Sequence, residues 1–341
     1  MKTFGKLITV IIFITVLIVG WLLFSRATSF NGKLKHIYVY ASSPASYQAQ
    51  IAEQINKGDI IDNITIFNFF ANNTNAFKAI TPGRFTIKRG ESIYRIIQTF
   101  KHNRQDTVHF TIKRVRTLKG FAAMLGNNFI TDSAKSLAFI SNNDSLRPFG
   151  VDTFTFTTLL LPGTYDMKWQ YSMPQILSIF AKTKENFWQS NNRRNRAAAL
   201  GLTPEQAIIL ASIVEDETLK DSEKDTIASV YLNRLRLGMP LGADPTIKFA
   251  LNDFAIKRIL LEDLKVQSPY NTYLNKGLPP GAICTPDSIT IDAVLNAPKT
   301  NYLFFVAKPD FSGYHNFSVD YKSHALKAKQ YQEALDARNI K

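Results

Sequence analysis

The chain has one cysteine, Cys284, in 341 residues. That excludes an intramolecular disulfide framework and any cysteine-rich zinc site. It has no Walker loop, no Gly-x-Gly-x-x-Gly, no Gly-x-Ser-x-Gly and no His-Glu-x-x-His, so the short signatures of nucleotide, serine-hydrolase and zinc-protease chemistry are missing. Low-complexity tracts and internal repeats are absent as well. Acidic residues are scarce: 27 Asp+Glu against 41 Lys+Arg leave a net charge of +14. That surplus points to a polyanionic partner such as nucleic acid, anionic lipid or an acidic polymer. What is present in quantity is apolar: 45% hydrophobic and 12% aromatic residues build a sizeable core and exclude wholesale disorder. The length suits two ordinary domains or one large one.

The longest apolar run says where the chain resides. Leu7 to Phe24 is uncharged over 18 residues. As a helix it rises about 27 Å, close to the thickness of a hydrocarbon core. Trp21 sits near its distal end, where an amphipathic ring suits the headgroup boundary. A cleaved signal peptide would have a shorter run and a small-x-small site, for which Ser25-Arg26-Ala27 is a poor match. A buried core helix would seldom be apolar all round. A transmembrane anchor, residues 1–26 including a short stub, is the favoured reading. Lys2 and Lys6 precede the run while Arg26, Lys33 and Lys35 follow it, so the positive-inside rule leaves orientation open. Most of the basic surplus lies on the body, and a tethered body argues against a diffusing nucleic-acid binder.

The body reads as α+β. Residues 35–70 suggest strand, helix, strand: KHIYVYASS from Lys35, an amphipathic stretch from Tyr47 to Ile55, then ITIFNFF from Ile64, with Asn72 to Asn75 as a loop. Phe85 and Ile87 alternate as a strand, Gly90 permits a turn, and Glu91 or Ser92 can cap a helix whose stripe is Ile93, Ile96, Ile97 and Phe100. This strand–turn–helix resembles the LysM glycan-binding pattern, which places a LysM-like subdomain at about 80–105 within an N-terminal region 35–105. A connecting α/β region, 106–200, offers a strand at Val108–Ile112, a helix at Lys119–Leu125, a strand at Thr153–Phe156 and a helix from Pro174 to about Leu200. That helix ends in Arg193, Arg194 and Arg196, which read either as a solvated basic face favoured by the helix dipole or as a polyanion patch.

The chemistry is expected in a mixed α/β domain over 201–341. Thr203, Pro204 and Gln206 form a capped helix start. The helix that follows, AIILASIVEDET, is apolar from Ala207 to Val214 apart from Ser212 and so is buried nearly all round. Glu215 and Glu217 end it. A carboxyl held by an apolar helix loses solvation and keeps its proton at higher pH, as a general acid on a glycosidic oxygen must. The plainer alternative is that either glutamate marks the helix leaving the core and pairs with Lys220 or Lys224. Helix physics does not choose between the two. Further on, Asn233, Asp244, Asn271 and Tyr273 lie among Pro/Gly-rich loops whose amides, hydroxyls and rings suit a carbohydrate cleft. Tyr302–Ala307 reads as a buried strand. The histidines lack ligand spacing, so no metal site is expected.

The ordered motifs ASIVEDET, SEKDTIASVYLNRLRLGMPLGADPT, YNTY, GLPPGAI and HNFS followed by His324 resemble the YceG-like family from about Leu202 to His324, and more weakly back to about residue 35. The resemblance implies one inner-membrane anchor, a body on the extracytoplasmic side, and non-hydrolytic cleavage within nascent peptidoglycan strands that leaves 1,6-anhydro-N-acetylmuramoyl ends. It implies peptidoglycan as partner alongside its synthases, with no nucleic acid and no cofactor. The family's catalytic glutamate ends the ASIVE stretch, which here is Glu215; Glu217 is kept as a supporting carboxylate. Glu217, Glu223 and Asp244 are the candidates for the second carboxylate that an ordinary glycosidase would need, and Asn233, Asn271 and Tyr273 are placed in the cleft. A non-catalytic glycan-binding scaffold is the alternative. Two departures stand out. Pro162-Gly163-Thr164-Tyr165 replaces a Pro-Asp-Thr-Tyr element, and Lys113-Arg114-Val115-Arg116 stands where relatives often show Glu-Gly.

Overall fold

A computed structural model describes residues 2–41, 43, 45–256 and 258–338. Ser42, within the first expected strand, and the last three residues of the expected C-terminal domain lie outside the described residues. The chain divides into two compact units, one mainly Met1–His109 and the other mainly Phe110–Lys341.

In the first unit, α1 (Lys2–Phe24) precedes β1 (Leu34–Val39), α2 (Tyr47–Lys57), α3 (Ile64–Asn73), β2 (Gly83–Lys88) and α4 (Ile93–Lys101). The apolar part of α1, Phe4–Phe24, is long enough to cross a membrane, and its side chains are not buried by the rest of the chain. β1 and β2 pair antiparallel from Leu34↔Lys88 to Val39↔Gly83. The turn after β2 forms as expected: Gly90 has a φ of 82°, a left-handed conformation natural to glycine, and Ser92 caps α4 by accepting from the Arg95 N–H. Ile93, Ile96, Ile97 and Phe100 are all buried and join Ile37, Val39, Ile51, Phe67 and Phe85 in one core.

Ile64 to Phe70 corrects the strand expectation, because it is the helix α3, and Asn72 and Asn73 belong to its last turn. Its β-branched and aromatic residues favour strand locally. Asn63 caps the segment by accepting from the Ile66 N–H, and the four-residue spacing of buried Phe67 and Ala71 matches a helix face.

The chain then runs through β3 (Thr107–Ile112), α5 (Leu118–Asn128), α6 (Ser133–Ile140), the single turn α7 (Asn143–Leu146) and β4 (Gly163–Lys168). β3 and β4 form a second two-stranded sheet. The strand expected at Thr153–Phe156 is absent: Asp152 gathers the Phe154 and Thr155 N–H groups into a turn, and Phe156–Leu159 follow as a 3-10 helix. Its side-chain acceptor competes with any ladder.

The second unit is mostly helical. The helix expected from Pro174 to Leu200 is two: α8 (Met173–Gln189) and α9 (Arg193–Ala199), broken where Asn191 and Asn192 take positive φ. Next come α10 (Pro204–Glu217), α11 (Lys224–Arg236), α12 (Asp244–Leu251), α13 (Ser288–Leu295), β5 (Phe304–Ala307), β6 (His315–Ser318) and α14 (Tyr321–Asp336). β5 is shorter than expected and half-buried. α10 is the central element, with every residue from Ala207 to Glu215 buried and with α11 and α13 packed against it. The Thr203–Gln206 capping box forms at its start. Arg193 and Arg196 are neither a solvated face nor a free patch. Both pair with Asp292 of α13, at 2.7 and 2.9 Å, while Arg194 pairs with Glu185.

Candidate active site

The end of α10 delivers three consecutive carboxylates, Glu215, Asp216 and Glu217, to one rim. Glu215 is buried, 6% exposed, and its two oxygens have different partners. Oε1 accepts from Arg114 Nη2 at 2.9 Å. Oε2 accepts from Lys224 Nζ at 3.2 Å and from the Thr290 hydroxyl, and Lys224 also reaches Thr290 Oγ1 at 2.9 Å. Lys224 begins α11 and Thr290 lies in the first turn of α13, so the helices packed on α10 place them. Burial would lower the Lys224 pKa, but hydrogen bonding to Asp221 and the charge of Glu215 outweigh it, and the net shift is upward. Asp216 lies between Arg114 Nη1, at 3.1 Å, and Arg116 Nη2, at 3.2 Å.

Glu217 is the desolvated carboxyl. Burial pushes its pKa up to about 7; the Tyr231 hydroxyl, donating to Oε1, pulls against that rise, while the charges of Asp244 and Asp216 add to it. It thus holds its proton near neutrality, as the helix pattern suggested for one of the pair.

Two cavities meet at Glu215 and Arg114, both of which line each of them. One, of about 180 Å³, adds Arg116, Asp216, Glu217, Lys248 and Phe254. The other, of about 530 Å³, adds Thr111, Lys113, Thr164, Thr285 and Asp287. Glu215 is thus a buried carboxyl that borders both open spaces.

The remaining expected site residues make the following contacts. Glu223 is buried and accepts from Thr218 Oγ1 at 2.9 Å and from the His315 backbone N–H at 3.1 Å, with His315 Nδ1 at 2.7 Å. It ties the segment after α10 to β6. Asn233 donates to the Thr300 and Tyr302 carbonyls, and Asn271 donates to those of Leu264 and Val266, so both amides clip loops. Tyr273 donates to Asp244 Oδ1 at 2.6 Å, and the pair lines a separate cavity of about 760 Å³. The Tyr273 pKa is raised by burial and by that carboxylate. Sequence reasoning missed Arg114, Arg116 and Thr290. Thr290 carries no local signal, whereas the arginines lie in the stretch already marked as a departure from the family pattern.

The YceG-like family model matches residues 43–330. The chain belongs to the YceG-like family. Among curated YceG-like relatives, the endolytic murein transglycosylase of Bacillus subtilis is 26% identical over 300 residues, covering 82% of this chain and 81% of its own. The endolytic murein transglycosylase of Streptococcus pneumoniae is 27% identical over 231 residues, covering 65% of this chain and 40% of its own. A crystal structure of a yceG-like protein from Listeria monocytogenes superposes with a TM-score of 0.55 at 23% identity, covering 86% of this chain and 99% of that one, and it shares the fold.

Proposed function

We propose that this chain is a membrane-anchored endolytic peptidoglycan lytic transglycosylase in which Glu215 is the catalytic residue. The observation that carries the reading is the position of Glu215: it ends the ASIVE stretch, is buried at the tip of α10, and is shared by both cavities. Relatives that are named endolytic murein transglycosylases support it.

In this mechanism, Glu215 Oε1 gives its proton to the oxygen bridging N-acetylmuramoyl and N-acetylglucosaminyl residues as the bond to the muramoyl anomeric carbon breaks. The resulting carboxylate then takes the proton of the muramoyl 6-hydroxyl as that oxygen bonds to the same carbon. The proton is returned, no water is consumed, and the product is a 1,6-anhydro end. A two-carboxylate glycosidase needs a partner for the acid at about 5 Å or about 6.5–9.5 Å; here the nucleophile belongs to the substrate. Lys224 and Thr290 hold Oε2 and so fix the carboxyl plane.

α1 would anchor the body on the outer face of the inner membrane, beside the peptidoglycan synthases, where cutting nascent strands ends their growth. The LysM-like reading of residues 80–105 belongs to the same proposal and is supported by the β2–turn–α4 geometry.

The test is mass analysis of products from purified glycan strands. Anhydro-muramoyl ends are expected, and Glu215→Gln should lower their formation roughly 10²- to 10⁴-fold, the usual share of general acid–base catalysis. Reducing ends would instead identify a hydrolase. Strand binding without cleavage in the unaltered protein would identify a scaffold.

A further inference from the structure

Glu215 cannot act as the structure shows it. Oε2 is committed to Lys224 and Thr290, both buried, so Oε1 is the oxygen left toward the cavities. Oε1 has Arg114 Nη2 on it at 2.9 Å. A guanidinium there occupies the direction from which a glycosidic oxygen must approach. Arg114 is also the more exposed partner of the cage. Its side chain is 34% exposed against 5% for Lys224, and residues 113–117 have no regular structure.

The neighbouring groups show what would draw it away. Arg116 Nε is buried with no hydrogen-bond partner, and Lys248 has no ion pair among the described residues. Both line the smaller cavity with Arg114. Among the described residues Asp216 pairs with both arginines there, and Glu215 pairs with Arg114 alone of the two. An incoming carboxylate would meet three cationic side chains, set among Glu215, Asp216 and Glu217, and the strands in question carry carboxylates on the peptide branches of their muramoyl residues.

We propose that Arg114 is a specificity-determining residue: its guanidinium leaves Glu215 for a carboxylate on the substrate's peptide branch, so the cleft acts on strands that bear acidic peptides. No covalent step is added, and the exchange is one ion pair for another. The inference rests on Glu215 being the catalytic acid.

The experiment uses the full chain in detergent and two preparations of the same glycan strands, one with free peptide carboxylates and one with those carboxylates amidated. Anhydro ends are counted by mass analysis. The unaltered protein should favour the acidic strands by roughly tenfold or more in kcat/KM, the scale of one charge-assisted hydrogen bond. Arg114→Gln should erase that preference, and Arg114→Lys should keep part of it. A purely structural arginine would lower activity on both strands alike. Equal cleavage of the two strands by the unaltered protein overturns the proposal even if no variant folds, and so does a preference retained in full by Arg114→Gln. If the unaltered protein makes anhydro ends that Glu215→Gln abolishes, yet amidation changes nothing, the Arg114 role alone fails. If Glu215→Gln is fully active, the reading beneath it fails.

Discussion

Glu215 and Glu217 are two residues apart on one helix and live in opposite electrostatic settings. Glu215 is met by Arg114 and Lys224, whereas Glu217 meets Tyr231 and the repulsion of Asp244 and Asp216. The difference has a measurable consequence for stability. A carboxyl whose folded pKa is raised from 4.5 to about 7 binds its proton more tightly when folded. The folded state therefore holds more protons than the unfolded state between those values, and stability falls as pH rises through that window. Denaturant unfolding at pH 5 and pH 8 should show a loss of up to about 3 kcal/mol, less where the rim remains solvated. Glu217→Gln, with no proton to lose, should flatten that dependence. If the variant keeps the full slope, the desolvated group is another residue.

The elements themselves rest on local rules that single substitutions can break. Thr203 accepts from the Gln206 N–H at the start of α10, and Thr203→Ala should cost about 1 kcal/mol in urea unfolding. At Gly281 an added Cβ would lie 2.0 Å from the Phe154 carbonyl oxygen, so Gly281→Ala must shift backbone and should destabilise by about 1–3 kcal/mol. The same close approach shows why the sequence misled at Thr153–Phe156. Alternating threonine and phenylalanine is a strand pattern, but Asp152 turns the chain and Gly281 receives it. Where local signals agree, as in the capped and apolar α10 or the Gly90–Ser92 turn, the elements were legible from sequence. Where propensity and cap conflict, as in Ile64–Phe70, the cap and the tertiary face decided.

For the whole molecule, the testable feature is the anchor. Phe4–Phe24 has a mean hydropathy of 3.0, and its apolar window is not buried by the rest of the chain. Replacing Ile12 and Leu17 with arginine should cost about 2.5–3.5 kcal/mol per residue at the centre of a membrane helix. The variant should move to the soluble fraction on cell fractionation while its body stays folded. Retention in the membrane fraction would show that another surface holds it there.

By itself the sequence determined the apolar N-terminal segment, the capped helix that presents Glu215, and membership in the YceG-like family. Each is carried by contiguous residues whose spacing or order is a local property. The sequence offered Lys224 as a partner for one of the two glutamates, but only the tertiary structure decided what else faces Glu215. Arg114 lies 101 residues before it and Thr290 lies 75 after it in the chain. Such contacts depend on how helices and loops pack, and no pattern along the chain encodes them. The same packing sent Asn233 and Asn271 to loop carbonyls and set Arg114, from a stretch that departs from the family pattern, against the proposed catalytic carboxyl.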